Sequence, residues 1–282
     1  MKTGLVLEGG AMRGLFTCGI MDVLLENGIV FDGAIGTSAG CAFGCNYKSK
    51  QIGRPYHYNR EFCNDSRYCS FKSWLTTGDI YNKEFCYHVV PYELYPFDLK
   101  TYRSNPMEFY AVCSNVENGK PFYYKCSEGD GKDIEYMRAS ASMPIVSKIV
   151  NIEGHKLLDG GISDSIPLQY FQSIGYTKNV VILTQPRDYV KKPNKLLPLA
   201  KILYHRYPLF LEAFGNRHIR YNECLKYIKE EEKKGNILVI APDEALNISS
   251  LCHDPLEIDR VYEIGRKTGM NYLNQIIEFI QK

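Results

Sequence analysis

No apolar run in this sequence approaches the roughly 20 residues that a helix needs to span a bilayer, so any membrane contact would be peripheral. Charge of neither sign is in large excess. The 34 Lys and Arg stand against 32 Asp and Glu, a net +2 that points to neither nucleic acid nor a strongly anionic partner. The 10 cysteines include no CxxC pair, and Cys41 with Cys45 or Cys63 with Cys69 has the wrong spacing for a zinc finger or ribbon. They are read as mostly buried free thiols in a reducing compartment, which makes the expected location cytoplasmic. MKTGLVLEGG, with one Lys and a short apolar run broken by Glu8 and two glycines, is read as a first strand and not as a secretory signal. No DxDxDG loop calls for calcium, and neither GxGxxG nor GK[ST] marks a nucleotide loop, since Leu7 stands where the first Gly would. Internal repeats and low-complexity segments are absent.

What is present has the balance of a globular chain. Its 282 residues, 45% hydrophobic and 23% charged, suffice for one large domain with a buried core. TGLVLEGG predicts a short buried strand, and MRGLFTCGIMDVLLENG sets Leu15, Cys18, Ile20, Met21, Leu24 and Leu25 at helical spacing, closed by Asn27 and Gly28. FDGAIGTS predicts a second strand that turns directly into AGCAFGCNY, a small-residue helix able to lie close on a sheet. Strand, helix, strand, helix begins a parallel α/β layer. From about 53 to 99 aromatics crowd in, with prolines at 55, 91 and 96, so this is an irregular helical insertion, either a structural excursion or a cap over a cleft. A hairpin is expected about ENGK, strands at KIVNIEGHKLLDGG, NVVILTQ and NILVIAP, and helices near 195–234 and 255–281.

AIGTSAG, Ala34 to Gly40, contains GxSxG. A sharp strand-to-helix turn would strain the backbone at Ser38 and expose its hydroxyl, and glycines at 36 and 40 would let neighbouring segments pass close. The helix after it points its positive end at a developing anion. The bland alternative is a glycine turn with a capping serine. EGGAMRG, Glu8 to Gly14, places glycines at a strand-to-helix junction, where successive amides can form the anion-binding nest that an oxyanion requires. LLDGG ends an apolar strand with Asp159, either a turn former or a base whose pKa a dehydrated site raises. No His lies near Ser38 in the chain. An order of Ser38, Asp159 and then His205, His218 or His253 is formally open, but only two strands precede Ser38, where an α/β-hydrolase builds several.

GGxxRG at 9–14, GxSxG at 36–40 and DGG at 159–161, in that order, resemble the patatin-like phospholipases. ASASMP at 139–144 is similar to that family's ASxxxP segment, and DGGISDSIP to its DG(G/A)xxxxxP continuation. The resemblance covers roughly residues 3–185. It implies a three-layer α/β fold with a mostly parallel central sheet flanked by helices, and hydrolysis of lipid acyl esters by a Ser and Asp dyad without His, metal or cofactor. By it Ser38 is the nucleophile and Asp159 its base. The amides of Gly9, Gly10 and Ala11 form the oxyanion hole, Arg13 helps fix that loop, and Gly14, Gly36, Gly40, Gly160 and Gly161 frame the site. Ala11 departs from the family's frequent Gly. The expected layout is an acyl hydrolase domain at 3–185, with the insertion at about 53–99 as its cap, and an α/β extension at 186–282 packed on the same domain. An acyltransferase would use the same residues, and a non-catalytic lipid-binding protein could keep the cleft. Arg187 to Arg206 carries Arg187, Lys191, Lys192, Lys195, Lys201 and Arg206 with Asp188 its only acid. That segment is either a solvated basic face or a surface for anionic lipid.

Overall fold

The computed structural model describes residues 1–281. Its sheet is built from β1 (Thr3–Leu7), β2 (Gly33–Thr37), β3 (Glu108–Asn115), β4 (Pro121–Cys126), β5 (Val150–Ile152), β6 (His155–Asp159), β7 (Lys178–Ile182) and β8 (Ile237–Ile240). Strands β8, β7, β1, β2 and β3 lie side by side and parallel. Runs such as GLVL in β1 and ILVI in β8 are buried throughout, as strands covered on both faces must be. Within β1, Leu5 and Leu7 enter one core and Val6 the other, because successive side chains point to opposite faces.

The helices are α1 (Gly14–Glu26), α2 (Ala39–Lys48), α3 (Arg54–Phe62), α4 (Phe71–Thr77), α5 (Leu99–Ser104), α6 (Lys132–Ser140), α7 (Leu168–Ser173), α8 (Leu197–Leu203), α9 (Pro208–Gly215), α10 (Arg217–Lys233) and α11 (Pro255–Gln281), with a π-helical stretch at Phe85–Leu94. Helices α1, α2 and α11 share the core of Leu5 and Leu7 through Phe16, Ile20, Phe43 and Val261. Helices α7 and α10 cover Val6 through Phe171, Tyr221 and Leu225, which completes three layers. Helix α11 lies almost backbone to backbone on α1. A Cβ at Gly265 would collide with the Phe16 carbonyl, Tyr262 donates its hydroxyl to Asp22 at 2.7 Å, and Arg266 grips Glu26 with both guanidinium nitrogens.

The expected hairpin about ENGK is β3 and β4. KIVNIEGHKLLDGG, expected as a strand, is a tight antiparallel hairpin, β5 and β6, because Glu153 and Gly154 both take positive φ, 48° and 83°, and reverse the chain. This local reversal decides the site. Strand β4 runs along one edge of β3, so β2 and β6 must share the other edge. Strand β2 stops where Thr37 pairs with Val112, and β6, arriving from the opposite direction, stops where Asp159 pairs with the next residue, Cys113. The two strands meet end to end. Whatever follows Thr37 must therefore face Asp159.

Candidate active site

Ser38 follows Thr37, at φ 55° and ψ −122°, a left-handed conformation that costs a non-glycine residue about 1–3 kcal/mol. Close backbone packing on both sides of it shapes the turn. A Cβ at Gly36 would strike the Gly40 carbonyl and one at Gly40 the Leu7 carbonyl, so α2 starts in direct backbone contact with β1 and β2. Gly14 likewise lets α1 begin against Ala39 and Phe43. Ser140, at the end of α6 and fully buried, accepts the Ser38 N–H at 3.0 Å and donates to the Val112 carbonyl at 2.6 Å, tying the turn to β3.

Ser38 Oγ donates to Asp159 Oδ2 at 2.6 Å. The other carboxylate oxygen, Oδ1, accepts the Gly161 N–H at 2.7 Å. Gly160 fits because a Cβ there would overlap the Val112 carbonyl. Behind the loop, Arg217 at the start of α10 donates Nε to the Gly161 carbonyl at 2.5 Å, and Arg220 binds the Ile162 carbonyl. Burial pushes the Asp159 carboxyl above its ordinary pKa, and the Ser38 hydroxyl, the Arg217 charge and the Gly161 amide oppose that rise in part. The His residues of the alternative triad are engaged elsewhere: Nδ1 of His205, His218 and His253 contacts the carbonyls of Ile202, Gly215 and Cys63.

The glycine loop differs in detail from the expected nest. The Gly9 N–H is already donated to the Ser165 carbonyl at 3.3 Å, whereas Gly10 and Ala11 have no acceptor for their N–H among the described residues. Ala11 adopts φ 48°, the geometry in which glycine is the easier residue. The loop is anchored less by Arg13, whose Nε is buried without a partner, than by the side chain of Glu8. That carboxylate, 1% exposed, accepts the Thr184 N–H at 2.5 Å and the Tyr221 hydroxyl at 2.6 Å.

Ser38 opens into a cavity of about 150 Å³ that is apolar along most of its wall, with Ala11, Met12, Phe43, Tyr87, Val90 and Met143 among its lining. Residues 53–99 supply much of that wall, including Tyr58, Tyr68 and the π-helical residues Cys86, Tyr87, Val90 and Pro91. Together these features make a strained serine on a carboxylate, two free amides in the loop ahead of α1 and an apolar chamber.

Residues 5–171 match the patatin-like phospholipase family. The chain belongs to it. A second match, to a domain of unknown function (DUF6363), takes in residues 207–281. The uncharacterized protein YjjU of Escherichia coli is 27% identical, with 96% of this chain and 77% of that protein covered. Lysophospholipase nte1 of Aspergillus oryzae is 26% identical and lysophospholipase NTE1 of Pyricularia oryzae 30%, each over 62% of this chain but only 11% of its own length. In this patatin-like chain the motif residues Ser38, Asp159, Gly10 and Ala11 come together. Ser140 lies inside the ASASMP motif, but its bonds to Ser38 and Val112 depend on tertiary packing. Arg217, Arg220 and Tyr221 sit in α10, far beyond the motifs, and carry no local signal.

Proposed function

We propose that the protein is a serine acyl hydrolase that cleaves carboxylic esters of lipids, of the phospholipase A, lysophospholipase or esterase type. Ser38 Oγ attacks the acyl carbonyl as its proton passes to Asp159 Oδ2. The resulting oxyanion is met by the amides of Gly10 and Ala11, each such donor being worth ~100- to 1000-fold in rate. Asp159 then protonates the departing alcohol, leaving an acyl ester on Ser38. A water molecule deprotonated by the same carboxylate attacks that ester, releasing the fatty acid and restoring the serine. Gly9 shapes the loop through its bond to Ser165, and Arg217 positions the Asp159 turn.

The observation that carries this reading is the 2.6 Å contact between Ser38 Oγ and Asp159 Oδ2, made by a serine at φ 55° on the wall of an apolar cavity. The lysophospholipase names of the fungal relatives support a lipid ester as substrate. Residues 53–99 act as the cap over the acyl chain, and residues 186–282 are an extension packed on the same domain rather than a separate one. The protein works in the cytoplasm or at the surface of a membrane; among the described residues no helix is long and apolar enough to cross one.

The test is hydrolysis of a chromogenic acyl ester, with fluorophosphonate labelling, by wild type, Ser38→Ala and Asp159→Asn. Wild type should turn over and label at Ser38, and both variants should lose turnover. Activity retained by Ser38→Ala refutes the assignment, and an unlabelled, inactive wild type favours a lipid-binding protein. An added alcohol that captures the acyl group in preference to water would make the protein an acyltransferase with the same dyad.

A further inference from the structure

Two short helices carry large apolar side chains on their outward faces as well as their inward ones. In α8, Ala200 and, just past its end, Tyr204 are buried, while Leu199, Ile202 and Leu203 stand on the outside at 42%, 71% and 51% exposure. In α4, Ser73 is buried, while Phe71 and Leu75, one turn apart, are each 66% exposed. A solvated surface helix carries polar or charged residues on its outward face. Chain flanking α8 adds Val190, Leu196 and Leu209, all exposed.

The two helices flank one residue. Trp74 of α4 donates Nε1 to the Ile145 carbonyl at 3.3 Å, and the Ile145 N–H is donated to the Tyr204 hydroxyl at 2.8 Å. Ile145 itself is held at φ 78°, a genuine outlier for a β-branched side chain. Just before it, Ala141 and Met143 line the cavity that contains Ser38. The outward apolar residues thus surround the segment that forms part of the cavity wall.

The exposed charge around them is mostly positive. Lys72, Lys148, Lys192, Lys195, Lys201 and Arg206 are exposed and take part in no ion pair among the described residues. Helix α4 has no acid, and 187–209 has only Asp188. Two copies of this chain placed face to face here would set like charges together, whereas an anionic bilayer offers the apolar side chains a hydrocarbon boundary and the lysines their counter-charge.

We propose that α4 and α8, with the strained Ile145 segment between them, form the face by which the protein docks on an anionic lipid bilayer, bringing the cavity wall at Ala141 and Met143 to the membrane. The lipid-hydrolase reading supplies the purpose of docking, but the two are tested by different readouts. Trp74, the only tryptophan in the chain, lies beside Phe71 within the face and reports on it directly. With vesicles of phosphatidylglycerol, Trp74 emission should shift to the blue, brominated acyl chains should quench it, and the protein should float with the lipid. With phosphatidylcholine vesicles binding should fall about tenfold or more, as several lysines lose their attraction. Leu199→Ser with Ile202→Ser should lower affinity for phosphatidylglycerol by about a hundredfold, each lost branched side chain removing about a tenfold factor, while turnover of a soluble short-chain ester stays unchanged. Absence of flotation with phosphatidylglycerol, or equal binding by the double variant, overturns the proposal. So does a wild-type dimer in sedimentation that the double variant splits, because the face would then belong to a second copy. Loss of soluble-ester turnover in wild type would instead refute the dyad and leave vesicle binding to be read on its own.

Discussion

Ser140→Ala should damage the site without touching the dyad or the cavity. The Ser140 hydroxyl accepts the only hydrogen bond that the Ser38 N–H makes among the described residues and gives one to the Val112 carbonyl, in a position with no exposure to solvent. Removing it leaves a buried N–H unpaired, at about 1–3 kcal/mol, and deletes a second bond worth about 0.5–1.5 kcal/mol, so the fold should lose roughly 2–4 kcal/mol. Ser38 has in addition been stripped of one of the contacts that hold it at φ 55°, a conformation that stores about 1–3 kcal/mol. If that strain relaxes, the competent geometry becomes scarcer by about tenfold for each 1.4 kcal/mol, so kcat should fall about 10- to 100-fold. KM should change little, since the cavity wall is intact. Urea unfolding followed by circular dichroism gives the first quantity, and steady-state turnover of a chromogenic ester in the folded baseline gives the second. A Ser140→Ala protein that unfolds within about 0.5 kcal/mol of wild type and keeps full kcat would show that the turn does not depend on this brace.

Three further outcomes are expected. Burial holds the Asp159 carboxyl above its ordinary 3.8 and the dyad needs it ionised, so the acid limb of kcat/KM should lie above that value; Arg217→Gln, which removes an opposing positive charge, should move the limb to still higher pH, and an unmoved limb would exclude that coupling. Asp164 is pushed up to about 6 by burial, its bond from Tyr123 at 2.8 Å offsetting only part. Because its native pKa is raised, its protonated form stabilises the fold fully below the ordinary 3.8, and this contribution of about 3 kcal/mol is lost as pH rises through about 6; Asp164→Asn should flatten stability over that window, as chemical denaturation at a series of pH values will show. Ala11→Gly should keep the amide donor while relieving a Cβ at φ 48°, giving a protein of equal or greater stability by up to about 1 kcal/mol with unchanged turnover in the ester assay.

The amino-acid sequence by itself determined the elements near the amino terminus and the identity of the reacting groups. TGLVL, GAIGT and the helical spacing of α1 carry their structure in local apolar patterning, and the Gly, Ser and Asp motifs carry chemistry in residue type and order. It also exposed the basic excess of 187–206, though not the aliphatic face beside it, because burial of one side of α8 and not the other depends on what packs there. Tertiary structure alone decided how Ser38 and Asp159, 121 positions apart, come to share a proton. They meet because β2 and β6 end head to head on adjacent residues of β3, a matter of strand register across the sheet. In the same way Ser140, Arg217 and Tyr221 reach the site from distant parts of the chain. Local patterning fixes which residues form an element, since backbone sterics and side-chain period act over a few residues. Which ends of which elements meet is fixed by pairing and packing across the whole chain, and no short stretch of sequence encodes that.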